Sequence, residues 1–270
     1  MREKLTIVKV GGAIVEDEER LKQLLKDFTL IDGAKMLVHG GGRRATKIAS
    51  ALGIESHMVN GRRITDEDML EVVTMVYGGL VNKHIVARLQ SIGVNALGLT
   101  GVDMNCILSR KRPPVSMRIT DEQGEPHDTM VDFGYVGDPV EVNGEMLATL
   151  INGGVTPIMA PLTHDGNGNM LNTNADTIAS EVAKAMATRY DTTLIYCFEK
   201  TGVLTNPDDD NSVIPTITRS DFDLLVADGT ISGGMIPKIE NALRAIDAGV
   251  KQVNITLATA IDGMHGTLIK

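Results

Sequence analysis

The stretch Leu5-Thr6-Ile7-Val8-Lys9-Val10-Gly11-Gly12 reads as a short apolar strand that ends in a lysine and two glycines. After it, Leu21, Leu24, Leu25 and Phe28 recur at the i, i+3, i+4, i+7 spacing of one helical face. Lys35 to Val38 is a second apolar run closed by His39-Gly40-Gly41-Gly42, and Ala45, Ile48, Ala49 and Leu52 return to helical spacing. Strand, helix, strand, helix is the order of a parallel sheet covered by helices, whose ligand crevice lies beyond the carboxyl ends of the strands. Both glycine turns fall at such ends.

The alternation continues along the chain. Thr65 followed by Asp68 predicts a helix start, with the helix running toward Ile92 and interrupted at Gly78-Gly79. Helix, glycine stop and strand recur at Gly93 before Ala96, at Gly153-Gly154 before Val155, and at Gly249 before Gln252. Between Cys106 and Tyr135 the pattern turns β-rich, broken by Pro113-Pro114 and Gln123-Gly124, which predicts hairpins projecting from the sheet. Asn174 predicts the cap of a helix carrying Ile178, Val182 and Met186 on one face; Thr193 to Cys197 is a strand and Met235 to Ala248 the last long helix. The expected fold class is α/β, a three-layer α/β/α sandwich with a largely parallel central sheet. Without a Pro-, Gly- or Ser-rich linker, two fused lobes, 1–170 and 171–270, are expected.

Composition sets outer bounds. The chain has 270 residues, 43% apolar and 23% charged, a globular balance that excludes a disordered protein. A net charge of −9 argues against nonspecific nucleic-acid binding and makes any anion site depend on a local basic patch. Cys106 and Cys197, the only cysteines, form no CxxC pair and signal neither a disulfide framework nor a zinc site. There is no signal-peptide pattern and no run of about 18 apolar residues, so no membrane partner and a cytoplasmic location are expected.

Each motif has a structural and a chemical reading. Lys9-Val10-Gly11-Gly12 is either an ordinary turn or a place where backbone N–H groups approach a phosphate beside a lysine. Gly41 and Gly42 open a helix whose positive end can hold an anion. Neither turn fits the Walker or GxGxxG patterns. From Arg43 to Arg63 five basic residues face one acid, Glu55, and the Arg62-Arg63 pair could hold a carboxylate through a guanidinium fork. Asn172, Asn174 and Asp176 cluster at a helix start, where capping is the plain reading. Gly233-Gly234 precedes a helix with Lys238 in its first turn, a position that opposes the helix dipole and calls for an anion. Arg110-Lys111-Arg112 reads as a solvated hairpin tip, and the six histidines show no metal-ligand spacing.

In order and spacing these motifs resemble the amino-acid kinase family, and within it the acetylglutamate kinases. The resemblance rests on Lys9 to Gly12, Val38 to Gly42, Val59 to Thr65, Gly78 to Lys83, Asn172 to Asp176 and Gly233 to Lys238, and so runs along nearly the whole chain. It implies phosphoryl transfer from ATP, with Mg²⁺ carried by the nucleotide, to the γ-carboxylate of an N-acylated glutamate in arginine-type biosynthesis. It assigns Lys9, Lys238 and Asp176 to catalysis, with Asp176 orienting both lysines. It assigns Gly41, Gly42, Arg63, Asn172 and Asn174 to the acceptor, and Gly11, Gly12, Glu199, Gly202 and Gly234 to the nucleotide. The first lobe would bind the acylglutamate and dimerise, and the second would bind nucleotide.

Two features depart from the family pattern. Val102 stands where many members have lysine, and Phe198-Glu199-Lys200-Thr201-Gly202 replaces the usual Thr-Asp-Val-x-Gly. Arg43-Arg44, and Arg62 beside Arg63, are more basic than an N-acetyl substrate calls for, which points to an acyl group with its own carboxylate, as in N-succinylglutamate. With the first strand beginning near Leu5, a homodimer without arginine feedback is expected. The competing readings are another kinase of this fold, acting on carbamate, uridylate, aspartate or glutamate, and a non-catalytic ATP or amino-acid sensor.

Overall fold

The computed structural model describes residues 2–120, 126–233, 235–263 and 265–270. The first strand, β1 (Lys4–Val10), leads through Gly11 into α1 (Gly12–Glu16) and α2 (Glu18–Thr29), and β2 (Ala34–His39) leads into α3 (Gly42–Ala51). A small hairpin, β3 (Met58–Val59) and β4 (Arg62–Arg63), precedes α4 (Glu67–Val73), and α5 (Asn82–Ser91) precedes β5 (Ala96–Leu99). Then come β6 (Ile107–Lys111), the hairpin β7 (Val115–Thr120) and β8 (Pro126–Val131), and β9 (Gly137–Val142). After α6 (Gly144–Asn152) follow β10 (Thr156–Met159), β11 (Leu162–His164), β12 (Met170–Asn172), α7 (Ala175–Ala187) and β13 (Asp191–Phe198). The chain closes with β14 (Thr216–Ile217), α8 (Arg219–Ala227), α9 (Met235–Asp247), β15 (Gln252–Leu257) and β16 (Thr267–Ile269).

The main sheet has the order β14-β16-β15-β13-β1-β2-β10-β5. The six strands from β15 to β5 are parallel, and β16 runs antiparallel to β15. This is the expected α/β sandwich. Strands from the two halves of the sequence meet at β1 and β13, whose pairing runs unbroken from Lys4 opposite Asp191 to Val10 opposite Cys197. The expected lobe boundary at 170 falls inside β12.

Period-two alternation assigns the faces of the sheet. Leu5 and Ile7 enter one buried cluster with Tyr196, Ile178 from α7 and Ile239 from α9. Val8 and Val10 enter the other, with Leu24 and Phe28 from α2 and Val72 and Val73 from α4. Gly93, Gly154 and Gly249 all take left-handed φ values, the geometry that ends a helix before the next strand. Among the described residues no helix is long and apolar enough to cross a membrane.

Three local expectations are corrected. Asp66, not Thr65, caps α4, because its carboxylate accepts the Met69 N–H at 2.9 Å, while Thr65 is fully buried. Gly78-Gly79 does not interrupt the helix; Thr74–Val81 is a π-helical segment that joins α4 to α5. Arg110 and Lys111 belong to β6, paired with β9, so the basic triplet is no hairpin tip. The Gln123-Gly124 turn lies outside the described residues.

Candidate active site

Lys9 shares its face of β1 with Leu5 and Ile7, so the alternation that builds the core also aims the lysine at α7. Its ammonium Nζ lies 2.6 Å from Asp176 Oδ1, with only 8% and 16% of the two side chains exposed. Asp176 is placed there by its cap: Asn174 Oδ1 accepts the backbone N–H groups of Asp176 and Thr177 at 2.7 and 3.2 Å. The Lys9 contact is an ion pair, because Oδ1 itself has no aligned hydrogen bond. Opposite Lys9 in β13 stands Tyr196, and Phe198 follows on the same face. The Lys9 Nζ is 5.2 Å from the Phe198 ring centroid and the Lys238 Nζ 3.6 Å, so one ring receives both ammonium groups.

Bringing two ammonium groups together is costly unless an anion lies between them. Burial lowers the pKa of Lys238, Asp176 raises it, and Lys9 lowers it further. With Asp176 the only carboxylate acting on the two lysines among the described residues, the trio keeps one net positive charge for a ligand. The buried Cys106 and Cys197 are free thiols pushed up to about 12 by burial, so neither supplies a thiolate nucleophile.

The two glycine turns pack against each other at the ends of β1 and β2. A Cβ on Gly40 would lie 3.2 Å from the Gly12 amide nitrogen, and one on Gly41 would lie 2.8 Å from the Tyr77 ring. The π-helical segment carries Tyr77 into this position, consistent with the use of π-helical turns at functional sites. Beneath the turn His39 is fully buried, and its pKa falls to about 4 by burial. Its Nδ1 donates to the Gly40 carbonyl at 2.9 Å, and its Nε2 accepts from Asn82 Nδ2 at 3.1 Å. Asn82 also donates to the Ile158 carbonyl at 2.9 Å, tying the turn to β10.

These elements line a cleft of about 470 Å³ that extends to the small hairpin and to Arg112. The helices α3, α7 and α9 all present their N-terminal turns to it, a positive dipole environment. Asn60 and Gly61, with φ of 47° and 74°, form the tight turn between β3 and β4. Arg63 is held from all sides: Nη2 donates to the Gly42 carbonyl at 2.9 Å and to Thr46 Oγ1 at 2.8 Å, and Nη1 donates to Ser56 Oγ at 2.9 Å. Asn172 Nδ2 donates to Thr65 Oγ1 at 3.0 Å. Arg112 grips Asp138 through Nε and Nη2 and lies 5.7 Å from the Phe133 ring centroid.

The first strand thus brings a lysine to paired glycine turns, with an acid holding it from the start of α7. The sequence model of the amino acid kinase family matches residues 4–256. The chain belongs to the amino acid kinase family. It is 64% identical over 270 residues to the acetylglutamate kinase of Bacteroides thetaiotaomicron, with both chains wholly covered. It is 38% identical over 266 residues to that of Methanopyrus kandleri, covering 98% of this chain and 100% of the relative. A solved structure from Streptococcus mutans UA159 is 29% identical, with a TM-score of 0.76 and 98% of each chain covered. The carbamate kinase of Giardia, 17% identical and covering 98% of each chain at a TM-score of 0.66, shares the amino acid kinase fold.

Within that fold the expected residues divide. Lys9, Asp176, Lys238, Gly12, Gly41, Gly42, Arg63, Asn172 and Asn174 gather at or around the cleft. Asp176 touches Lys9 but reaches Lys238 only through its field. Gly11 caps α1 behind the lysine. Glu199 and Gly202 do not line the cleft: Glu199 is exposed and lies 3.7 Å from Arg43, and Gly202 packs against Thr267 and Val213. Gly234 lies outside the described residues. The sequence reading missed Tyr77, Phe133, Phe198 and Arg112. Two signals were available: Arg112, set beside two prolines and read as solvated, and Phe198, at the head of a segment that departs from the family pattern.

Proposed function

We propose that this cleft transfers the γ-phosphoryl group of ATP to the γ-carboxylate of an N-acyl-L-glutamate, the reaction named by its acetylglutamate kinase relatives, in arginine biosynthesis. The observation that carries this reading is the pairing of Lys9 with Asp176 and the convergence of Lys9 and Lys238 on Phe198. A carboxylate is already a competent nucleophile, so the site needs no general base. An acceptor oxygen attacks the γ-phosphorus in line, the bond to the bridging oxygen breaks, and ADP leaves with an acyl phosphate as the other product. Lys9 and Lys238 stabilise the charge on the transferring oxygens. The turn amides of Gly12, Gly41 and Gly42 and the N-terminus of α3 add donors that need not reorganise.

Mg²⁺ bound to the nucleotide supplies further neutralisation of the phosphate oxygens. The cleft fits a metal delivered in that way, because the one carboxylate lining it among the described residues, Asp176, is committed to Lys9. The first lobe, carrying Arg63 and the small hairpin, serves the acceptor, and the second, carrying Lys238, Phe198, Glu199 and Gly202, serves the nucleotide. Two free buried thiols suit a cytoplasmic protein. The unpaired edge of β5, with Leu97 exposed, suits a homodimer. A pure sensor has no need for two mutually repelling lysines around one acid, which favours the kinase over that reading.

The test is ATP-dependent acyl phosphate formation, trapped as hydroxamate, with N-acetyl-L-glutamate against glutamate, aspartate and carbamate. Turnover of the N-acyl substrate alone is expected. Silence on all four and on N-succinyl-L-glutamate, with ATP still bound, would turn the assignment to a sensor.

A further inference from the structure

The cleft holds more unpaired positive charge than an N-acetylglutamate would neutralise. At its lysine end, Lys9, Lys238 and Asp176 leave one positive charge, which the γ-carboxylate and the phosphoryl group meet. Arg63 is a second. Its four terminal N–H donors go to a carbonyl, two hydroxyls and the Met69 sulfur, all neutral, so its charge is unmatched. An α-carboxylate answers it. Arg112 is matched by Asp138.

Arg62 is left over. It follows the Asn60-Gly61 turn, pairs with Val59 through its backbone and lines the cleft, and its side chain makes no hydrogen bond or ion pair among the described residues. The rest of the basic run is accounted for elsewhere. Arg43 faces Glu199, while Arg44 and Lys47 line a separate cavity of about 190 Å³ with Glu16 and Glu18. Nor is the hairpin carrying Arg62 loose: Val59 packs on the Val131, Phe133 and Val136 cluster, and Asn60 Nδ2 donates to the Arg118 carbonyl at 3.3 Å. An acetyl group ends in a methyl and offers a guanidinium nothing. An acyl chain ending in a carboxylate offers a charge-assisted pair.

We propose that the acceptor of this kinase is an N-acylglutamate whose acyl group is dicarboxylic, of which succinyl is the probe compound, with Arg62 binding the distal carboxylate. Arg112 supports it: with Nε and Nη2 given to Asp138, its Nη1 donors remain for the acyl chain. This inference rests on the phosphoryl-transfer reading above.

The experiment compares kcat/KM for N-succinyl-L-glutamate and N-acetyl-L-glutamate with the full chain and ATP, in wild type, Arg62→Leu and Arg62→Lys. Wild type is expected to favour the succinyl compound by about tenfold or more. Loss of a charged hydrogen bond should lower succinyl efficiency in Arg62→Leu by roughly 10- to 100-fold, with partial rescue by Arg62→Lys. Equal or better use of the acetyl compound by wild type, or an unchanged ratio in Arg62→Leu, would overturn the inference while leaving the kinase standing. Phosphorylation of neither compound would overturn the kinase reading and this inference with it.

Discussion

The two ends of the cleft handle charge in opposite ways. At the lysine end, Lys9 is buried and Lys238 half-buried against one aromatic ring, and Lys9 is paired to Asp176 at 2.6 Å. At the arginine end, the Arg62 side chain stands exposed and unpaired among the described residues, while Arg63 spends its donors on neutral groups. In the proposed reaction the two ends meet different charges. Charge developing on a transferring phosphoryl group is fleeting and rewards groups already in place, whereas a substrate carboxylate is permanent and needs only a partner left free.

Breaking the paired end should have the largest effect. Lys9→Ala strands Asp176, so it should cost on the order of 3 kcal/mol of stability and lower kcat by about 10² to 10³, read by urea unfolding and steady-state kinetics. Next comes the support beneath the glycine turn. Burial holds His39 near 4, below its unfolded value of about 6.5, so the unfolded chain binds more protons in that window and stability falls as pH drops through it. Unfolding at pH 8 and pH 5 should differ by about 2 kcal/mol from this residue, a difference that His39→Gln removes. Gly41→Ala sets a methyl 2.8 Å from the Tyr77 ring and should cost about 1 kcal/mol or more, with a raised KM for the acceptor. The smallest effect belongs to the open end: Arg62→Leu should shift stability by no more than about 0.5 kcal/mol, because nothing in the folded protein leans on it. A destabilisation as large as that of Lys9→Ala would erase the contrast between the two ends.

Much of this was legible in the sequence, and for a definable reason. Leu5 to Gly12 and Leu21 to Phe28 carry their own periodicity, so strand, helix and turn could be read locally, and the same alternation put Lys9 on the α7 side. Asn174 was correctly read as a cap, and the cap is what positions Asp176. What escaped were features created by distant contacts. Phe198 meets Lys9 only because β13 lies beside β1, and Tyr77 reaches Gly41 only because the helix winds as a π segment there. Gly78-Gly79 suggested a break because glycine weakens helices, yet Tyr77 and Val81, packed in the core, hold the segment helical. Arg112 looked like a solvated charge until β9 brought Asp138 to it.

In the proposed mechanism the lysine end acts on the transferring phosphoryl group rather than on ground-state binding. Its most direct test is kcat and acceptor KM measured separately for Lys238→Ala at saturating ATP. A fall in kcat of about 10² to 10³ with KM changed only a few-fold is expected. Near-normal kcat, or a loss carried entirely by KM, would contradict it.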